Sequence, residues 1–208
     1  FFSLVGSGEN PTDFGLPLDS TLIVSNANIH TESVAAYVSG SFSLSDNLSL
    51  TAGMRYTDDQ KDFQFTQTSD PLSQQFGFLE IDCALAQFEC ETKREDSEWT
   101  SKISLEFRPN DNIMTYLKYS EGFNSGGFNA NINSGTTPLS FGPETVESWE
   151  LGFKSQLAGD RVRLNAAVYD TDYLNKQESF FLAEAGGFIQ TNAGSANSQG
   201  FEIEVTAL

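Results

Sequence analysis

Side chains that could carry covalent chemistry are few in this chain of 208 residues. It has one histidine, His30, and two cysteines, Cys83 and Cys90. Catalysis by a serine or cysteine nucleophile needs a histidine close by, and a single histidine leaves no catalytic set that the sequence supports. No glycine-rich segment follows a strand and opens a helix, as a phosphate-binding loop would. We therefore expect a protein that is not an enzyme and that uses no cofactor.

The two cysteines, Cys83 and Cys90, lie in a long acidic segment, and two interpretations of them stay open. A disulfide fits their short spacing if the segment faces an oxidising compartment, and closing a loop of about eight residues stabilises a fold by roughly 2–3 kcal/mol. A zinc site would need two further ligands. We expect a Cys83–Cys90 disulfide.

Acidic residues that are close in sequence offer a different chemistry, the binding of a cation such as Ca²⁺. Asp58 and Asp59 stand near the end of a predicted strand, and Asp170 and Asp172 fall on one side of another strand. A solvated acidic rim explains both pairs more simply, because the connecting segments are acidic as a whole. We expect no metal site.

The charge balance limits the choice of partners. The chain has 11 basic and 29 acidic residues, which gives a formal net charge of −18. Binding to a phosphate backbone needs a cationic surface, so nucleic acid is not an expected partner. No run of about 18 apolar residues is present, so the sequence predicts no transmembrane helix.

The elements that would position these residues are β-strands, because apolar residues recur at every second position and polar residues fill the alternate ones. The apolar sets are Leu48, Leu50, Ala52, Met54 and Tyr56; Trp99, Ile103, Leu105 and Phe107; and Trp149, Leu151, Phe153 and Leu157. The polar sets are Ser49, Thr51 and Arg55; Lys102, Ser104 and Glu106; and Glu150 and Lys154. A strand of about 9–11 residues crosses a bilayer, and charges on its other face need a polar lumen or a solvent-facing surface. The pattern favours an outer-membrane barrel over a soluble sheet.

Short and long connections alternate between the predicted strands. The strands are expected at about 31–44, 48–66, 96–108, 113–124, 144–157, 161–178 and 199–208. Short turns on one side and long loops on the other are typical of bacterial outer-membrane barrels. Aromatic residues at the strand ends would form two interfacial belts, with Tyr56, Trp99, Tyr119 and Trp149 on the long-loop side and Phe42 and Phe107 on the other.

Four segments combine glycine and aromatic residues at the spacing of strands and hairpins. They read LTAGMRYTDD at 50–59, YSEGFNSGGFN at 119–129, PETVESWELGFK at 143–154 and TNAGSANSQGFE at 191–202. In this order the segments resemble the barrel of TonB-dependent outer-membrane receptors, and the resemblance extends over about residues 31–208. One such segment is weak evidence, whereas four in the right order are specific.

The resemblance implies an all-β fold, an antiparallel meander of about seven to eight strands that forms part of a 22-stranded transmembrane barrel. It implies a bacterial outer-membrane location, contact with membrane lipid, and uptake of a scarce nutrient, most often a ferric siderophore. Such receptors also have a plug domain and a segment that contacts TonB, and neither is recognisable in residues 1–208. We therefore expect a fragment of the barrel that forms a curved open sheet.

Site residues are also implied by the resemblance. Ligand contact is expected from aromatic and amide side chains near the top of the barrel, namely Phe123, Asn124, Phe128 and Asn129, although their Gly-Phe pairs also fit a purely structural role. A ladder of charges is expected along the lumen, formed by Arg55, Lys102, Glu106, Lys118, Glu150, Lys154, Arg163, Glu202 and Glu204. Two alternatives stay open, a β-sandwich adhesin and a passive porin.

Overall fold

The computed structural model describes residues 23–69, 81–82, 93–130, 139–159, 161–183 and 187–207. Within these residues the strands are β1 (Ile23–Ser45), β2 (Leu48–Ser69), β3 (Ile81–Asp82), β4 (Lys93–Asn110), β5 (Ile113–Asn124), β6 (Gly127–Phe128), β7 (Ser140–Phe141), β8 (Glu144–Leu157), β9 (Val162–Leu174), β10 (Gln177–Leu182), β11 (Gly187–Asn192) and β12 (Ala196–Ala207). The part of the chain described here contains no helix of the length and apolar character needed to span a membrane.

Seven long strands form one antiparallel meander in the order β1-β2-β4-β5-β8-β9-β12, and the short β3 pairs with β2. Each long strand pairs with the next long strand along the chain. In the described residues β1 and β12 do not pair with each other, so the sheet is open. The all-β antiparallel meander of seven strands is confirmed, and the described long strands form one sheet rather than the two facing sheets of a sandwich.

Several strand boundaries differ from the predicted ones. β1 begins at Ile23 rather than near residue 31, and β4 begins at Lys93, because a polar strand continues for as long as a neighbour accepts its backbone hydrogen bonds. The single strand expected at about 161–178 is instead two strands, β9 and β10. The chain turns between them at Asn175, whose φ of 52° is incompatible with an extended strand.

The short and the long connections between strands lie at opposite ends of the sheet. Short turns join β1 to β2, β4 to β5 and β8 to β9, and we call this side the short-turn end. At the last of these turns Ala158 and Gly159 both have positive φ, 55° and 65°. The longer connections between β2 and β4, β5 and β8, and β9 and β12 lie at the opposite side, the long-loop end. The alternation matches the predicted one.

One face of the sheet, called here the apolar face, presents large hydrophobic side chains to its surroundings. The register aligns one continuous row across all seven long strands: Phe42, Leu50, Leu105, Leu117, Leu151, Val168 and Phe201. Leu151 is 55% exposed and Phe201 is 75% exposed. A water-soluble sheet covers such a row with a second layer, whereas a membrane strand leaves it to lipid.

Aromatic residues meet in pairs on the apolar face, toward the long-loop end. The Tyr56 and Trp99 rings lie 5.0 Å apart between centroids, and the Tyr119 and Trp149 rings lie 4.8 Å apart. Both pairs sit directly opposite each other in the register of neighbouring strands. The four residues predicted for one interfacial belt therefore lie on one face, in cross-strand contact.

Candidate functional site at the long-loop end

The tightly packed core of the described residues lies at the long-loop end rather than within the sheet. Its fully buried side chains are Phe63, Phe65 and Ile189, with Phe128 7% exposed. The Phe63 and Phe128 rings stack at a centroid distance of 4.8 Å and an interplanar angle of 6°, and Phe65 lies 6.1 Å from Phe63. A short segment after β5 therefore lies against the inner wall formed by β2. We call residues Ser125–Asn129 the docked segment.

Charged side chains of β2 and β4 hold the backbone of the docked segment. Arg94 donates two hydrogen bonds of 2.7 Å to Asp96, and both side chains are largely buried, with exposures of 16% and 6%. Asp96 Oδ2 also accepts the backbone N–H of Gly126 at 3.0 Å. Lys61 Nζ donates to Ser125 Oγ at 2.8 Å and to the carbonyl of Gly126. Charge-assisted bonds of this kind are stronger than neutral ones.

The close approach at Gly126 requires glycine. A Cβ atom at this position would overlap the carbonyl oxygen of Phe141 and the guanidinium of Arg94. β6 and β7 pair at this point, with Gly127 opposite Phe141. The glycines of the YSEGFNSGGFN motif therefore allow the docked segment to reach the wall.

Two amide side chains connect the docked segment to the hairpin formed by β10 and β11. Gln177 Nε2 donates to the carbonyls of Ser125 and Gly142, each at 3.0 Å. Asn192 Nδ2 donates to the carbonyls of Gly142 and Asn175 at 3.0 and 2.7 Å. Backbone carbonyls of three separate loops are satisfied in this way, which fixes the loops relative to one another.

Charged groups complete the base of the hairpin. Glu144 Oε2 accepts the backbone N–H of Gln177 at 2.7 Å. The hydrogen bond from Lys176 to Glu178 raises the pKa of the Lys176 ammonium above its usual value.

The four residues predicted to contact a ligand divide into two pairs. Phe128 is buried in the stack with Phe63, and Asn129 exchanges two hydrogen bonds with the backbone of Gln190, at 2.8 and 2.9 Å. Both are therefore used in packing the loops. Phe123 is partly exposed and Asn124 is exposed at the end of β5, where Asn124 donates to Gln177 Oε1 at 3.1 Å. Ligand contact by these residues stays a prediction.

The nine residues predicted to line a lumen share the face opposite to the apolar one, which we call the polar face. Lys118 and Glu150 form an ion pair of 2.8 Å, and Tyr116 Oη donates to Glu150 at 2.6 Å. Glu106 pairs with Arg108, which was not among the predicted residues. In the described part of the chain the remaining six make no salt bridge, so the predicted ladder has one pair between its own members, with separate charges around it.

The residues considered as possible metal ligands form separate groups along the chain. Cys83 and Cys90 fall outside the described residues, and their disulfide stays a prediction. Between Asp170 and Asp172 the structure places an amide, because Asn197 Nδ2 donates to both carboxylates at 2.7 Å. His30 is exposed beside Glu32. In the ranges that the structure covers, no group of three or more His, Cys, Asp or Glu side chains is arranged to hold a metal ion.

The residues that build the loop core were not recognised from the sequence as a site. Lys61, Arg94 and Asp96 lie in charged stretches that carry no motif of their own. A signal for a partner was nevertheless present, since Phe63 and Phe65 recur with a period of two within a polar stretch, on the face opposite to Tyr56. Phenylalanine at alternate positions of an otherwise polar strand indicates that one side of that strand is covered.

Comparison with known proteins finds receptors that are similar to this chain. The pesticin receptor of Yersinia enterocolitica is 24% identical over 175 residues, which cover 83% of this chain and 23% of that protein. The ferric yersiniabactin uptake receptor FyuA of Yersinia pestis matches with a TM-score of 0.69 and 23% identity, over 88% of this chain and 25% of its own. The ferric-catecholate import receptor Fiu of E. coli K12, in its closed form, matches with a TM-score of 0.60 and 22% identity, over 87% and 26%.

The chain thus spans about a quarter of the length of the proteins that it matches. The likeness to the two solved structures shows the fold. The family model described as "TonB dependent receptor-like, beta-barrel" matches residues 3–208, nearly the whole chain. Together with the seven-stranded meander, this match shows that the chain belongs to the β-barrel family of the TonB-dependent receptors.

Proposed function

We propose that this chain forms part of the barrel wall of a bacterial outer-membrane receptor that imports a ferric siderophore by TonB-dependent active transport. The observation that carries the proposal is the two-sided sheet: an exposed apolar row crosses all seven long strands, and charged side chains occupy the other face. That arrangement suits a wall between lipid and a polar lumen. The family match adds the class of receptor.

The choice of an iron chelate as substrate is supported by two matched structures. One is a ferric yersiniabactin uptake receptor and the other a ferric-catecholate import receptor. At the long-loop end exposed Asn124 offers an amide group on the polar face, while Phe123, its neighbour in β5, lies on the opposite face. The anchored loops behind these residues would limit the entropy lost when a ligand binds.

The proposed partners follow from the same geometry. Membrane lipid would cover the apolar face, with the Tyr56–Trp99 and Tyr119–Trp149 pairs at the outer interface. TonB would act on a part of the receptor outside this chain. The function is transport, so we assign no catalytic residue.

The proposal is tested in the organism that produces the receptor. Deletion of the gene should abolish growth on one ferric siderophore under iron limitation, and the full-length gene should restore it. Uptake of that chelate labelled with radioactive iron should stop when TonB is absent. Unchanged growth and uptake on a broad panel of ferric chelates would refute the proposal. If the full-length gene restored growth in a strain without TonB, the protein would instead be a passive porin.

A further inference from the structure

The hydrogen-bond ladder between β4 and β5 ends before the ladders on either side of it. Toward the long-loop end, the last paired residues of β4 and β5 are Lys102 and Ser120. β2 pairs with β4 as far as Lys93, the first residue of β4, and β5 pairs with β8 as far as Asn124, the last residue of β5. Beyond Lys102 and Ser120 the described strands therefore divide into a first group, β1-β2-β4, and a second group, β5-β8-β9-β12. We call the gap between the two groups the seam.

The aromatic pairs at the long-loop end follow the same division. Tyr56 and Trp99 pack on each other within the first group, and Tyr119 and Trp149 do so within the second. The two members of each pair lie directly opposite in their own ladder. Because cross-strand aromatic pairs stabilise the ladder that carries them, each pair holds its own group together.

One carboxylate bridges the seam where the ladder ends. Glu121 of β5 accepts the backbone N–H of Ser101 of β4 at 2.7 Å, and the Tyr119 hydroxyl donates to the other Glu121 oxygen at 2.7 Å. In a continued ladder the Ser101 N–H would bond to a backbone carbonyl of β5. A side chain takes that place here, and its negative charge strengthens the bond.

The docked segment crosses the seam farther toward the long-loop end. It leaves the end of β5 and reaches the first group, where Asp96 and Lys61 bond to its backbone at Gly126. The Phe128 ring of the segment stacks on Phe63. In the ranges that the structure covers, side chains and this one loop segment thus link the two groups beyond the ladder. Links of this kind can separate without breaking a strand pairing.

We propose that the seam is a hinge line at which the two groups move apart toward the long-loop end, and that Glu121 and the docked segment form the clasp that keeps it closed. The row of Lys102 and Ser120, the last of the ladder, is the axis of this motion. Opening widens the mouth of the barrel and breaks no ladder hydrogen bond. The inference rests on the barrel wall of the proposed function and does not depend on the substrate.

The distance between two nitroxide labels, measured by pulsed electron paramagnetic resonance, tests the inference in the full-length receptor purified in detergent. Its native cysteines, Cys83 and Cys90 among them, are first replaced by serine. The labels are attached at Ser97→Cys on β4 and at Gln199→Cys on β12, two exposed positions on opposite sides of the seam. Their distance therefore reports the separation of the two groups.

Two substitutions release the clasp. Glu121→Ala removes the bridge to Ser101, and Lys61→Met removes the donor to the docked segment. Together they should lengthen the mean distance by about 5 Å, the spacing of one strand. Glu121→Ala alone should broaden the distance distribution, so the test does not depend on the folding of the double variant. Hydrogen exchange at the Ser101 amide should become faster, while exchange at Ile103, within the ladder, stays slow.

Glu147→Ala is the matched control. Glu147 lies opposite Glu121 in the register of β5 and β8 and makes no hydrogen bond to β4 among the described residues, so its loss should leave the distance unchanged. A label pair within the first group, at Ser97→Cys and Glu32→Cys, should keep its distance in every variant.

The inference is overturned if releasing the clasp leaves the distance distribution across the seam unchanged, or if Glu147→Ala alters it equally. It is also overturned if the distance within the first group changes as much as the distance across the seam. A receptor that takes up no ferric chelate but shows the expected distances would refute the proposed substrate and support the hinge.

Discussion

At the scale of single residues, Tyr116 and Gly152 on the polar face restrain each other. They lie opposite in the register of β5 and β8, and a Cβ atom at Gly152 would overlap the Tyr116 ring. The Tyr116 hydroxyl bonds to Glu150, and Lys154 Nζ stands 5.5 Å from the ring centroid. An aromatic ring laid over a glycine compensates for the missing side chain and covers the backbone.

Gly152→Ala should destabilise the full-length receptor by about 1–3 kcal/mol, because the added methyl group displaces the Tyr116 ring and breaks its bond to Glu150. The free energy of unfolding in lipid vesicles, from denaturant titration, measures the loss. In a Tyr116→Ala background the same substitution should have little effect, since the overlap is gone. Equal losses in the two backgrounds would show that the ring is not the cause.

At the scale of elements, the strands are longer than a bilayer requires. β2 has 22 residues, whereas about 9–11 suffice to cross the hydrocarbon core. Beyond Tyr56 its inner side carries Lys61 and Phe63, which receive the docked segment. The extension of β2 and β4 past the aromatic pairs thus forms a platform for the loops.

Phe63→Ala should release the docked segment, because truncating a fully buried phenylalanine costs about 3–5 kcal/mol and removes the stack under Phe128. Hydrogen exchange at the amides of Gly126–Asn129 should become faster, while exchange in the central part of β5 stays slow. Phe181→Ala is the matched control, since Phe181 is 57% exposed. If both variants left the loop amides equally protected, the stack would have no part in holding the segment.

At the scale of the whole molecule, the sheet is stable only with an apolar neighbour on one side. Its row from Phe42 to Phe201 is exposed in this chain, and the edges of β1 and β12 each lack one neighbour among the described strands. Unpaired backbone groups are not tolerated inside a bilayer. We therefore expect the remainder of the receptor to pair with both edges and lipid to cover the row.

Adjacent positions on β1 test this assignment of the faces. Val38 is on the apolar face and Ser39 is on the polar face, both exposed in this chain. In the full-length receptor Val38→Arg should destabilise the barrel by up to about 2–4 kcal/mol, because it places a charge in lipid, where the cost is greatest at the midplane. Ser39→Arg should cost much less. Denaturant titration in lipid vesicles compares the two, and similar losses would contradict the assignment.

The strands and their faces were predictable because the information is local. A residue such as Leu105 or Lys118 takes its face from the strand period of two, so the alternation alone assigned both correctly. Strand ends were less predictable. Whether β1 begins at Ile23 depends on the pairing of Ile23 with Ser69. A local sequence pattern does not indicate which residue of another strand will pair with a strand end.

The sequence by itself determined the seven-stranded meander, its two faces and the resemblance to TonB-dependent receptors, since periodicity, turns and motifs are properties of short segments. Only the tertiary structure decided which loop residues meet. Phe63 stacks on Phe128, Asn129 bonds to Gln190, and Asn197 fills the gap between Asp170 and Asp172. These contacts join residues far apart in the chain, and they depend on strand register and loop path, which no single segment encodes.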